Sequence, residues 1–194
     1  RRLSRLQIPA RRQVLKDKLA KNDVLLIVGK SPAVWDDVEA FWKFGARHDV
    51  CCINCIGAVY PCDFDHWFSY HGVEIAERFP DKRGALLHSV SRCTHPKIDY
   101  AWKIHDTGGS SAFIGGRCAL MYWGYSRVVF AGCGITNDGY WNNTSGEDSY
   151  RYKETFLATW RRFHPELKDR IRSMSGNTME IYGYPTPEWL NGND

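Results

Sequence analysis

The sequence predicts an α/β domain built on a mostly parallel sheet with helices on both faces. Two observations carry this. The strongest apolar runs, "VLLIV" at 24–28 and "RVVFAG" at 127–132, are short and continuous rather than alternating. That is the pattern of strands covered on both sides. Such runs also alternate with helical stretches along the chain, the order a parallel sheet needs because each crossover requires a connecting element. The size agrees: 194 residues, 43% hydrophobic and 25% charged, suit one ordinary domain.

Taken in order, "RRQVLKDKLAK" at 11–21 reads as a helix broken by Asn22-Asp23, so residues 1–22 form a basic arm and helix ahead of a domain spanning 23–194. Strand 24–28 enters a turn at Pro32 and a helix near 34–46, with Val34, Val38, Phe41, Trp42 and Ala46 on its apolar stripe. Strands follow at 49–54, 66–71, 85–90 and 100–104, with a short helix at 73–79. A helix near 111–123 leads to strand 127–132. The polar stretch 133–149, rich in Gly, Asn, Asp and aromatics, is long enough for a lid loop. A helix at 150–163, extended by "PELKDRIRSM", and a last strand at 178–183 complete the chain.

Composition narrows the function classes. No apolar run approaches the roughly 18 residues of a membrane span, and no signal-peptide pattern is visible. Seven cysteines are an odd number. Cys51, Cys52 and Cys55 fall in or just after a strand and Cys118 on a helix, which points to reduced thiols in a cytoplasmic protein. The sequons at Asn142 and Asn143 then carry no meaning. The net charge of +4 is concentrated in "RRLSR" and "RRQVLKDKLAK", a solvated arm rather than a nucleic-acid-binding surface. Cys52, Cys55, Cys62, His66 and His71 have zinc-like spacing, but Cys51 and Cys52 lie within a strand rather than on a knuckle turn.

In open parallel sheets ligands bind beyond the carboxyl ends of the strands. That rule selects Gly29–Ser31, Asn54–Tyr60, Thr107–Ser111 and Gly132–Asp138. The turn "VGKSP" follows neither of the two common phosphate-loop spacings, yet a strand ending in glycine before a helix suits an anion. "TGGSS" repeats that logic: Gly109 allows close approach, and Ser110 or Ser111 caps the next helix. Lys30 adds a point charge. Asn54 either contacts a ligand or closes a turn. His71, His88 and His105 are the histidines best placed for a base at this edge. Asp106, Asp138, Glu147 and Asp148 could hold Mg²⁺ or serve as a base.

The order of these pieces resembles a Rossmann-like superfamily. It contains bacterial lipooligosaccharide sialyltransferases and 6-hydroxymethylpterin diphosphokinase-like proteins. "IVGKSP", "DVCCINCIGAVY", "TGGSSAFIGGRCALMYWGYSRVVFAG", "YKETFLATWRRF" and "MEIYGYPTPEWL" carry the resemblance, a sparse pattern over about residues 24–190. It implies a Rossmann-like fold, nucleotide binding by Gly29, Lys30, Ser31, Asn54, Gly109, Ser110 and Ser111, and Tyr140, Tyr150 or Tyr152 at the leaving phosphate. The departures are Lys30 in the first turn, Gly134 where the family has an acid, and no histidine in 134–163. The expected function is a nucleotide-sugar-dependent glycosyltransferase acting on a glycan or small-alcohol acceptor. His71, His105 or Asp138 would be the base, with a nucleotide-sugar as donor and no certain cofactor. The alternatives are an ATP- and Mg²⁺-dependent diphosphokinase of a small alcohol such as a pterin, using Asp106 with Asp138, and a non-catalytic nucleotide-binding protein.

Overall fold

A computed structural model describes residues 19–105, 108–142 and 152–193. The elements run β1 (Val24–Val28), α1 (Val34–Trp42), β2 (Asp49–Ile53), a 3₁₀ turn (Asn54–Ala58), β3 (His66–Phe68), α2 (Gly72–Arg78), β4 (Leu86–Val90) and β5 (Tyr100–Trp102). They continue with α3 (Ser111–Cys118), a π-helical turn (Ala119–Trp123), β6 (Arg127–Ala131), α4 (Lys153–Leu167), β7 (Ile171–Ser173), α5 (Gly176–Tyr182) and α6 (Pro187–Asn191).

All seven strands lie in one sheet in the order β5-β4-β3-β2-β1-β6-β7, and every pairing is parallel. This is a Rossmann-like α/β architecture. The chain builds outward from β1 to the β5 edge, then returns across the sheet to place β6 on the other side of β1. The junction of β1 and β6 is therefore the point where the direction of winding reverses, and crevices form at such points.

Strand alternation divides the core in two. Leu25, Ile27, Phe68 and Phe130 face α3, α4 and α5, where Phe113, Trp160 and Tyr182 pack. Val24, Leu26, Val28 and Val129 face α1, α2 and α6, where Val38, Phe41, Ile75 and Trp189 pack. Each such large apolar side chain, fully buried, contributes about 2–3 kcal/mol. Both sides of β1 are covered, so its five residues are all buried, which explains the continuous apolar run. The Ser110 hydroxyl caps α3 by accepting from the Phe113 N–H at 3.4 Å. Gly124, with φ of 96°, stops the π turn in the left-handed region.

Two elements differ from the sequence expectation. Residues 178–183 are not a strand; they fall largely within α5, bounded by Gly176 and Gly183 at φ of 66° and 80°. The β-prone Thr178, Ile181 and Tyr182 misdirect the reading, and packing of Tyr182 against Trp160 overrides propensity. The closing strand is instead β7, inside the expected helical extension "PELKDRIRSM". It forms because β6 offers it a free edge, with Val128 paired to Ile171 and Phe130 to Ser173. Smaller differences are at boundaries: α1 ends at Trp42, β3 at Phe68, and α4 runs on through Pro165 to Leu167.

Leu19–Lys21 are not helical, and residues 1–18, the rest of the expected arm and helix, lie outside the described residues. So do 143–149 of the expected lid, whereas 133–142 are described. Among the described residues no helix is long and apolar enough to cross a membrane.

Candidate functional site

A cavity of about 320 Å³ opens at the carboxyl edge of the sheet, where the winding reverses. It is lined by Gly29, Lys30 and Ser31 after β1, by Ile53 and Asn54 at β2, by His71 after β3, and by Gly132, Cys133, Ile135 and Tyr140 after β6. Ser110, Ser111 and Ala112 at the start of α3, with Phe156 of α4, close it. A larger depression of about 670 Å³ lies at the opposite, amino edge beside Lys21, Arg47 and Arg127. The smaller one is the candidate site, because the strand tails converge there and it holds an unpartnered polar group.

The tails of β1 and β6 touch backbone to backbone. Gly29 N–H donates to the Ala131 carbonyl and Ser31 N–H to the Gly132 carbonyl, both at 2.8 Å. A Cβ on Gly29 would overlap the Gly132 carbonyl and the Cys133 sulfur. Gly132 has φ of 64°, and a Cβ there would meet Val34. Asp37 secures the crossing from α1: its Oδ2 accepts from Gly132 N–H at 2.7 Å and from the Ser175 hydroxyl at 2.6 Å. Burial raises the Asp37 pKa, and these two hydrogen bonds oppose the rise. The turn amides Gly29 and Ser31 are thus spent on the neighbouring strand tail rather than presented to an anion.

What the turn presents instead is side chains. Ser31 belongs to the cavity lining, and its hydroxyl oxygen is buried with no hydrogen-bond partner among the described residues. A buried unpartnered hydroxyl costs about 1–3 kcal/mol, so its place at a cavity points to a ligand. The Lys30 ammonium sits 3.6 Å over the Tyr140 ring, and Trp141 N–H donates to the Lys30 carbonyl at 3.0 Å. Among the described residues no carboxylate pairs with Lys30. Anion-seeking amides come from α3: the Ser110 cap takes Phe113 N–H, and Ile114 N–H begins the helical ladder. The N–H groups of Ser111 and Ala112 remain at the cavity wall, at the positive end of the helix.

Two non-glycine residues of the lining are held in the left-handed region, Asn54 at φ 52° and Ile135 at φ 49°. The second is unusual for a β-branched side chain. Asn177 Nδ2 donates to the Ile135 carbonyl at 2.6 Å and keeps it there. His71 stands exposed at the rim, at the start of α2, edge-on to Tyr70. Cys133 is buried, and burial pushes its thiol well up, so it is un-ionised.

Behind this wall the β2–β5 half of the sheet holds a chain of polar side chains. Trp102 Nε1 donates to His88 Nδ1 at 3.1 Å. That fixes the proton of neutral His88 on Nε2, which donates to His66 Nδ1 at 3.0 Å. His66 Nε2 then donates to the Tyr125 hydroxyl at 2.7 Å, which donates to Asp49 Oδ2 at 2.6 Å. Burial lowers the His66 pKa to about 4 and holds that of His88 well below the ordinary imidazole value. His88, expected at the carboxyl edge, is therefore corrected: it lies mid-strand in β4, fully buried, and part of the core.

Of the other residues singled out in the sequence, Gly29, Lys30, Ser31, Asn54, His71, Ser110, Ser111 and Tyr140 come together in one lining. Gly109 precedes it at φ of 87°. His105 and Asp138 are exposed and outside the lining. Tyr152 is exposed at the start of α4, its ring 6.1 Å from that of Phe156. Asp106, Glu147, Asp148 and Tyr150 lie outside the described residues. Among the described residues no three His, Cys, Asp or Glu side chains gather as a metal site, and all seven cysteines are free thiols. The sequence reading missed Asp37 and Ser69, whose roles depend on partners distant along the chain. No family model, no curated protein and no solved structure matches this chain.

Proposed function

We propose that the cavity binds a nucleotide or nucleotide-sugar and that the protein is a glycosyltransferase of the sialyltransferase-like type. The observation that carries this is the buried Ser31 hydroxyl, without a partner among the described residues, on a residue that shares the cavity lining with Lys30, Ser111 and Ala112 at a winding-reversal point. These groups suit a phosphate oxygen. In the reaction they would stabilise the phosphate as it leaves with the glycosidic electron pair, with Tyr140 beside it. His71 is the only histidine in the described lining, and as general base it would take the proton of the acceptor hydroxyl.

The diphosphokinase alternative needs carboxylates to hold Mg²⁺ against the phosphates. Asp138 lies outside the lining and Asp106 outside the described residues, so this alternative is separated by its Mg²⁺ dependence. Nucleotide binding without catalysis is separated from both by His71. Thermal shift with CMP, UDP, GDP, ADP and CMP- and UDP-sugars, with and without Mg²⁺, is the test. One nucleotide class is expected to raise the melting temperature, and Ser111→Ala with Ser31→Ala to abolish the shift. His71→Ala is expected to keep the shift and lose turnover. A shift requiring both ADP and Mg²⁺ would move the reading to the diphosphokinase; no shift with any probe would overturn it.

A further inference from the structure

Ser69 follows β3 and is fully buried, outside the cavity lining. All of its polar groups are engaged. Its N–H donates to the His88 carbonyl at 3.1 Å, and its carbonyl accepts from the Ser89 hydroxyl at 2.7 Å. Its hydroxyl oxygen accepts from His71 N–H at 3.0 Å and donates to Asn54 Oδ1 at 2.8 Å. One buried hydroxyl therefore touches two lining residues that come from different strands.

The direction of the Ser69–Asn54 bond follows from counting donors. Were the Asn54 amide turned over, its Nδ2 would donate to the Ser69 oxygen, which already accepts from His71. The Ser69 proton would then have no acceptor in a site closed to water, at a cost of about 1–3 kcal/mol. With Oδ1 toward Ser69, every group is satisfied except Asn54 Nδ2. That group has no partner among the described residues and belongs to a cavity-lining side chain. The backbone supports the same aim: Asn54 is held at φ 52° with its carbonyl bonded to Trp67 Nε1.

We infer that Ser69 is a positioning residue that fixes the Asn54 side chain as a hydrogen-bond donor to the ligand. The ligand group it meets is an uncharged acceptor of the nucleoside part: a base carbonyl, a ring nitrogen or a sugar oxygen. The charged end of the ligand is accounted for by Lys30, Ser31 and the α3 amides, which leaves Asn54 for the neutral end. This deepens the nucleotide reading and rests on it for the ligand's identity, but not for the state of the amide.

The experiment uses the full chain and two readouts. In ¹⁵N-resolved spectra without ligand, Ser69→Ala is expected to move the Asn54 side-chain amide pair and to speed exchange of the His71 amide proton about tenfold, since that proton loses its acceptor. In binding, AMP, GMP, CMP, UMP, ribose 5-phosphate and inorganic phosphate are the probes. Ser69→Ala is expected to weaken the tightest nucleotide about tenfold and leave inorganic phosphate unchanged. In an Asn54→Ala background it should add less than about twofold, because it acts through Asn54. Asn54→Asp, which keeps an oxygen toward Ser69 but replaces the Nδ2 donor with an anionic oxygen, is expected to lose the nucleotide by more than it weakens inorganic phosphate, even if Ser69→Ala proves too unstable to study. Equal weakening of inorganic phosphate, additive losses in the double variant, or unchanged Asn54 and His71 signals would each overturn the inference. If no nucleotide binds the parent protein while the Asn54 and His71 signals still respond to Ser69→Ala, the nucleotide reading fails and the positioning role stands.

Discussion

The two walls of the cavity are built by opposite means. On the β1–β6 side, Gly29 and Gly132 bring backbone against backbone, and side chains are excluded from the contact. On the β2–β5 side, side chains bridge between strands: Ser69 to Asn54 at the cavity, and behind it, in the core, the chain from Trp102 through His88, His66 and Tyr125 to Asp49. The first wall depends on shape, with the Asp37 carboxyl bonded at its crossing. The second depends on where protons sit. A ligand between them meets one surface set by sterics and another set by hydrogen-bond polarity.

The largest effect is expected on the steric wall. Gly132→Ala puts a Cβ into Val34 and forces a side chain onto φ of 64°. Strain and overpacking together should cost about 4 kcal/mol, read as a fall in the urea midpoint at constant slope. A loss below about 1 kcal/mol would show that this wall yields, and that the contrast between the two is false.

The next effect belongs to the polar wall. His66 is held neutral, its pKa lowered from an ordinary 6.5 to about 4, so in acid the unfolded chain binds a proton that the folded chain does not. Its contribution is complete above about pH 6.5 and is lost as pH falls toward 4. By linkage this amounts to about 2 kcal/mol at pH 5 and about 3 below pH 4, and His88 acts in the same direction. Asp49, Asp65, Lys21 and Lys82 are the charges that face the pair. The raised pKa of Asp37 works in the opposite sense, adding stability as pH falls through its folded pKa toward 3.8. Urea midpoints that stay flat from pH 7.5 to 5 would remove the distinction between the walls.

The smallest effect concerns the ligand-facing hydroxyl. Ser31→Ala deletes a buried group that lacks a partner. The unliganded protein should be unchanged or more stable by up to about 1 kcal/mol, while the nucleotide-induced shift is lost. A clear destabilisation would mean that Ser31 serves the fold rather than the ligand.

Much of this was legible in the sequence where the signal is local. β1, β2 and β6 announce themselves because a strand covered on both faces is apolar at every position. The glycines and hydroxyls at their ends could be selected by the rule that such ends form crevices. What was not legible is decided at a distance. β7 is three residues long, Ile171–Ser173, and exists because β6 has an edge to offer. α5 is helical despite β-prone residues because Tyr182 packs onto Trp160. His88 looks like a carboxyl-edge histidine until register places it mid-strand, opposite Tyr100 of β5. Asp37 meets Ser175 far along the chain, and Ser69 gains its role only when Asn54 and His71 fold around it.

The strand order has a consequence in time. β1 pairs with β6 from Val24 opposite Arg127 onward, so a ribosome releases five strands before the partner that completes the site. Until β6 inserts, β1 has an open edge, and neither the glycine crossing nor the α3 end of the cavity has anything to close against. Pairings so remote in sequence are slow to form. The domain therefore completes its binding site only after β6 has sealed the open edge of β1 and α4, which follows it, has added Phe156 to the lining.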